Sequence, residues 1–186
     1  FYLGLGYYFA AHYLSDEQVI SYHLVTRLFF VSYVAYYAFV QHQVRHLSFP
    51  NTAIRMHTTS LIFKDSIAIG LLAVLAVYCL AIILNKLDFF DSMTDGIEIH
   101  HSQLFFAFLY FLIRVFRDVG LVIASGLNAR NLISKVYLLE LGVALTVMTF
   151  IVPKYGVIGI FASMSLASIL GLAIFFEEAK KLEYHY

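Results

Sequence analysis

The sequence predicts an all-α fold, a polytopic membrane helix bundle with five complete transmembrane helices and a shorter helix in front of them. Three observations predict it. Of the 186 residues 61% are hydrophobic and 13% are charged, where an ordinary soluble domain runs near 45–50% and about 25%. The mean hydropathy is +0.81. Long apolar runs recur along the whole chain, and a soluble fold of this size has too little interior to hide them. In lipid each backbone polar group must be satisfied within its own segment, which selects helices.

The elements follow in chain order. The run FYLGLGYYFAAHYL, residues 1–14, is too short to cross a hydrocarbon core of about 30 Å. It starts at Phe1 without the basic front of a signal peptide, so it is expected to be the end of a helix that begins upstream. The chain is then expected to be the C-terminal part of a longer polypeptide. Ser15 and Gln18 have the spacing of a capping box ahead of the helix at 19–43. Helices are expected at 65–85, 103–125, 136–152 and 157–176, each an apolar run long enough to cross as a helix. Phe49-Pro50-Asn51 marks a break, and residues 54–64 are expected to lie at the interface before turning into the next helix. In the loop 86–102, Phe89 and Phe90 are expected at headgroup level. Together the segments make one membrane domain over 1–186.

Loop charges set an expected orientation. Arg45, Arg55, Lys64, Arg130, Lys135, Lys180 and Lys181 fall on one side; Lys86 and Lys154 fall on the other. The excess of Lys and Arg marks the cytoplasmic side and puts the C-terminus there. The formal net charge is 0, from 12 basic and 12 acidic residues. Without a basic tract to follow a phosphate backbone, nucleic acid is not an expected partner. Cys79, the one cysteine, is expected to be a buried thiol within its helix.

Charges within apolar runs are the informative ones, since a membrane tolerates them only when they are paired or face water. Arg27 lies eight residues into its helix, roughly 12 Å deep by helical rise, with His23 one turn before it on the same face. It is either a cation lining an internal cavity for an anionic substrate or a structural arginine tied to a neighbouring helix. Arg114, Arg117 and Asp118 form a second group. Asp118 is four residues from Arg114 and can pair with it, whereas arginines bordering a wet cleft would suit phosphate or carboxylate. Asp118 could instead take a cation or a proton. Glu140, three residues from Tyr137, could titrate during transport, or pair with Lys135 or with a base on another helix. Gly159, Ser163, Ala167 and Gly171 recur every four residues as a small-residue stripe for close helix packing. Tyr22, Tyr33, Tyr36 and Tyr37 share one helix and could either pack it or meet a sugar.

Other chemistry has no visible apparatus. His42/His46 and His100-His101 sit without the cysteines or carboxylates of a zinc pattern, so no metal is expected. The chain has no glycine-rich phosphate loop, no nucleophile elbow and no HExxH. Neither a catalytic residue nor a cofactor is expected.

Three stretches support a resemblance: YFAAHYLSDEQVISYHLVTRLF with Tyr22 and Arg27; SGLNARNLISK with Gly126 and Lys135; and FIVPKYGVIGIFASMSLAS with Pro153, Lys154, Tyr155, Gly156 and Gly159. The chain resembles, over nearly its whole length, the Wzx-type lipid-linked oligosaccharide flippases of the multidrug/oligosaccharidyl-lipid/polysaccharide exporter superfamily. The third stretch is the most specific; Phe161-Ala162-Ser163 departs from the more alanine-rich run usual there. The resemblance implies the second lobe of a twelve-helix exporter in the bacterial inner membrane, whose missing N-terminal lobe is its first partner. The implied substrate is an undecaprenyl-diphosphate-linked oligosaccharide for O-antigen, capsule or exopolysaccharide export. Membrane lipids and other polysaccharide assembly proteins would be further partners. Arg27 matches the family by motif position as a cavity residue for the diphosphate; Arg114 and Arg117 are candidates by depth, with His23, Asp118 and Glu140 as supporting or ion-coupling groups. A cation-coupled multidrug exporter of the same superfamily, a membrane-embedded O-acyltransferase or polymerase, and a purely structural membrane subunit are the alternatives.

Overall fold

The computed structural model describes residues 2–44, 52–93, 96–97, 99–126 and 129–183. The described residues form helices only: α1 (Tyr2–Tyr13), α2 (Asp16–Val44), α3 (Thr52–Lys86), α4 (Phe89–Met93), α5 (His101–Gly126) and α6 (Arg130–Glu183).

Helix α5 sits at the centre. It packs on α2, α3 and α6, while α1 packs on α6 and α2. Leu104, Ala107, Phe111, Val115 and Val119 of α5 are completely buried. Against them lie Phe29 and Tyr33 of α2, with Phe29 stacked on Phe111 at 5.4 Å. The outward faces are apolar too. Val31, Leu72, Leu75, Ile83, Leu138, Phe150 and Ile169 are all exposed, the inverse of a water-facing surface and the pattern that lipid solvates.

Helix α2 starts at Asp16, three residues before the apolar run. Asp16 and Glu17 occupy its first turn, where acidic side chains favour the helix dipole. The Gln18 amide donates to Ser15 Oγ at 3.5 Å, which is one half of the capping box. The Gln18 side chain does not return to close the other half; it rests against Gly156 of α6.

Helix α3 differs from expectation. Residues 54–64 do not turn before entering the membrane segment; they continue into it as one helix of 35 residues. No Gly or Pro lies between Thr52 and Ile69, so nothing in the backbone forces a bend there. Phe49-Pro50-Asn51 lies outside the described residues. Cys79 is exposed on the outer face of α3 and is not the buried thiol expected. After α3, Asp88 takes a left-handed conformation (φ 51°), which Asp tolerates better than most residues, and the short α4 follows. Phe89 of α4 is exposed, but Phe90 is buried in the core, so only one of the two phenylalanines faces outward.

Helix α6 joins the runs at 136–152 and 157–176. Its only non-helical residue is Gly156 (φ 58°, ψ −135°), a conformation that a Cβ disfavours. The chain reverses there. An added Cβ on Gly159 would lie 3.0 Å from the Ile151 carbonyl oxygen, and one on Gly171 would strike the Glu140 carboxylate. Further out, Lys135 Nζ lies 3.7 Å from Glu178 Oε2. Contacts that step away from Gly156 equally in both directions describe two antiparallel arms, 130–155 and 157–183.

Among the described residues, three helical stretches are long and apolar enough to cross a membrane: Asp16–Val44, Leu61–Lys86 and Arg130–Glu178. That differs from five complete spans plus a truncated one for three physical reasons. Helix α5 carries Arg114, Arg117 and Asp118 within five positions, too much charge for a plain apolar span. The two antiparallel arms of α6 meet at Gly156 with no loop between them, so both fall within the single stretch Arg130–Glu178. Helix α1, at 12 residues, reaches only about 18 Å.

Candidate functional site

The charges of α5 meet those of α6 in the middle of the protein. Arg114, Arg117 and Asp118 stand at i, i+3 and i+4 and therefore share one side of the helix. Arg114 Nη2 is 3.1 Å from Asp118 Oδ2, its Nε donates to the same oxygen at 3.2 Å, and its Nη1 donates to the Tyr110 hydroxyl at 3.2 Å. The guanidinium lies over the Tyr33 ring, 4.6 Å from its centroid. Tyr33 reaches across from α2 and donates its hydroxyl to Asp118 Oδ2. Asp118 thus gathers two arginines and a tyrosine, since Arg117 Nη1 donates to its other oxygen.

Arg117 is the bridge. Its Nε donates to Glu140 Oε1 at 2.8 Å and its Nη2 to Glu140 Oε2. This is the two-pronged geometry that a planar guanidinium offers a carboxylate. The Tyr137 ring lies 4.9 Å below the Arg117 guanidinium. Exposure is 0% for Glu140, 3% for Arg117 and 4% for Asp118. Two cations and two anions cancel, which is what allows them to be buried together.

Gly171 makes the pairing possible from the other arm. A Cβ there would sit 2.1 Å from Glu140 Oε1. The small-residue stripe therefore does two things. At Gly159 it admits the backbone of the first arm, and at Gly171 it admits a carboxylate. Ser163 and Ala167 between them are buried, and the Ser163 hydroxyl turns back to its own helix, donating to the Gly159 carbonyl at 2.7 Å.

Arg27 stands elsewhere. It is exposed on α2, on the stripe that also carries Ile20, Val31 and Val34. It makes no hydrogen bond or ion pair among the described residues. It lies about 16 Å along α2 from Asp16 and about 25 Å from Val44 by helical rise. His23, half-buried one turn before it, packs edge-on to Tyr7 of α1 at 5.5 Å, and Tyr7 packs on Tyr22 at 5.1 Å.

The structure thus brings together Arg114, Arg117, Asp118 and Glu140 and leaves His23 and Arg27 apart. Glu140 takes its base from α5 and not from Lys135, which faces Glu178 instead. Sequence reasoning did not assign Tyr33, Tyr110 or Tyr137 to the network, nor Gly171 to the carboxylate. The signals were partly present: Tyr110 is one turn before Arg114, and Tyr137 one turn before Glu140. Comparisons with family models, curated proteins and solved structures find no match to this chain.

Proposed function

We propose that the chain is the second lobe of a twelve-helix flippase that moves undecaprenyl-diphosphate-linked oligosaccharide across the bacterial inner membrane, with its C-terminus in the cytoplasm. One observation carries the reading. Arg114, Arg117, Asp118 and Glu140 cancel in a buried network, whereas Arg27 is exposed on an otherwise apolar stripe of α2 without an ion-pair partner among the described residues. A bare cation at that depth is expensive against lipid. An anionic headgroup passing along this face would relieve the cost, and a diphosphate is such a group.

Arg27 is therefore the residue assigned to the diphosphate, with His23 and Tyr7 beside it. Arg114 and Arg117 would have to leave Asp118 and Glu140 to reach an anion, so in this reading they hold the lobe together. The lobe would rock as a unit against its partner lobe, opening the shared cavity to each side in turn.

The test is leaflet-to-leaflet movement of undecaprenyl-diphosphate-linked oligosaccharide in vesicles holding the whole polypeptide. Arg27→Ala is expected to lower the rate at least tenfold at equal insertion, and Arg27→Lys to retain part of it. Unchanged movement in Arg27→Ala would return Arg27 to a structural role. Export of an organic cation without movement of any lipid-linked glycan would favour the multidrug exporter.

A further inference from the structure

The buried face of α2 is more polar than helix packing requires. From the Asp16 end it presents Ser21, Tyr22, Thr26, Tyr33 and Tyr36, all buried. Two of these hydroxyls are satisfied. Ser21 donates to Gln103 Oε1 of α5 at 2.7 Å, and Tyr33 donates to Asp118. The hydroxyls of Tyr22, Thr26 and Tyr36 are not, nor is that of Ser66, which is completely buried on α3. Buried hydroxyls are nearly always bonded, to protein or to ordered water.

A fifth unsatisfied hydroxyl, that of Ser165, is on α6; the four of α2 and α3 fall in two places. Tyr22 and Thr26 are one turn apart on α2. Their hydroxyls are close enough to influence one another, but neither forms a well-shaped hydrogen bond. The Tyr22 hydroxyl lies against Gly6 of α1. At the other place the Tyr36 ring lies on Gly70 of α3, with Val115 of α5 against the same glycine, and Ser66 is one turn from Gly70. Between the two places run Tyr110, Arg114, Asp118 and Tyr33, bonded in sequence. From Tyr22 to Tyr36 the row covers about 21 Å by helical rise, most of the thickness of a hydrocarbon core.

We propose that the seam between α2 and α5 is an internal water path. Water binds beside Tyr22 and Thr26 at one end and beside Tyr36 and Ser66 at the other, and the two positions flank the Asp118–Arg114 pair. Each place offers two side-chain hydroxyls, the least set of partners that holds a buried water. Groups facing Asp118 are Tyr33 from α2, Arg114 and Arg117 from α5, and Glu140 from α6 through Arg117. The seam makes this carboxylate reachable by solvent from within the bundle, although its exposure to the outside is 4%. The proposal needs no substrate and stands apart from the assignment of Arg27.

Hydroxyl-radical footprinting of the unmodified whole chain in lipid tests it, because radicals made by a short X-ray pulse label side chains beside bound water. Tyr22 and Tyr36 are expected to be modified several-fold faster than Met148, which is completely buried on α6 outside this row. In a Cys79→Ser background, Thr26→Cys and Ser66→Cys are expected to react with a small charged methanethiosulfonate at least tenfold faster than Ala107→Cys. Reaction at one end alone would overturn a path and leave an isolated hydrated site. Rates at both ends equal to the dry controls would overturn the proposal, and the footprint decides the matter if the cysteine variants fail to insert.

Discussion

Glu140→Gln is the sharpest perturbation of the buried network. It keeps the volume of the side chain and removes one negative charge. Arg114, Arg117 and Asp118 remain, so a neutral cluster acquires a net positive charge in an apolar interior. Breaking a buried ion pair by removing one partner costs about 3–5 kcal/mol, chiefly because the other charge stays buried. Glu140 is fully buried and Arg117 is 3% exposed, so solvent screens little of this. The amide oxygen can still accept from Arg117 Nε, now at 2.8 Å, which places the expected loss near the lower limit, about 3 kcal/mol. The double substitution Arg117→Met with Glu140→Leu restores neutrality, because Arg114 and Asp118 cancel. It is expected to cost about 1 kcal/mol or less, since a well-packed apolar pair often replaces a buried ion pair without loss. The coupling between the two positions should then be about 3 kcal/mol or more in a double-mutant cycle. Reversible unfolding in mixed lipid–detergent micelles measures Glu140→Gln, the double variant and the single substitutions Arg117→Met and Glu140→Leu that close the cycle. Additive losses, or a Glu140→Gln variant within about 0.5 kcal/mol of the parent chain, would refute an energetic coupling between Arg117 and Glu140.

Two further outcomes follow from the hairpin. Gly171→Ala places a methyl 2.1 Å from Glu140 Oε1 and is expected to cost about 1–3 kcal/mol by overpacking; the same unfolding assay should show most of that loss disappear in a Glu140→Ala background, where the carboxylate is gone. Gly156→Ala forces a Cβ into φ 58°, ψ −135° beside Gln18 and is expected to cost about 1–3 kcal/mol, with Gln18→Ala relieving little of it because the strain is in the backbone.

The helical, apolar character of the chain was legible because periodicity and composition report on single segments. Arg114 and Asp118 were legible as partners for the same reason, one turn apart on one helix. Arg117 and Glu140 were legible only as charges in want of partners. Their pairing depends on how α5 lies against α6, and 22 intervening residues say nothing about that angle. Gly171 illustrates the limit well. In the sequence it is one more small residue in a stripe of four, yet its missing side chain shapes the pocket for a carboxylate on the opposite arm. The start of α3 was misjudged because a polar, histidine-containing stretch resembles a loop in composition while lacking any residue that stops a helix. Cys79 was misplaced because an apolar run does not reveal which of its faces turns outward when both neighbours, protein and lipid, are apolar.

The reversal at Gly156 also bears on how α6 enters a bilayer during synthesis. One residue turns the chain, so no soluble loop separates the arms. Lys154 and Tyr155 are exposed at the tip, and Arg130 and Lys135 lie at the opposite end. In the orientation proposed above, this element would enter as a closed hairpin with a single ammonium group, that of Lys154, at its leading edge. At about 2.3 kcal/mol per charge for each 100 mV, the tip would then feel the resting potential through that one lysine, with the cations at the open end left on the side of synthesis.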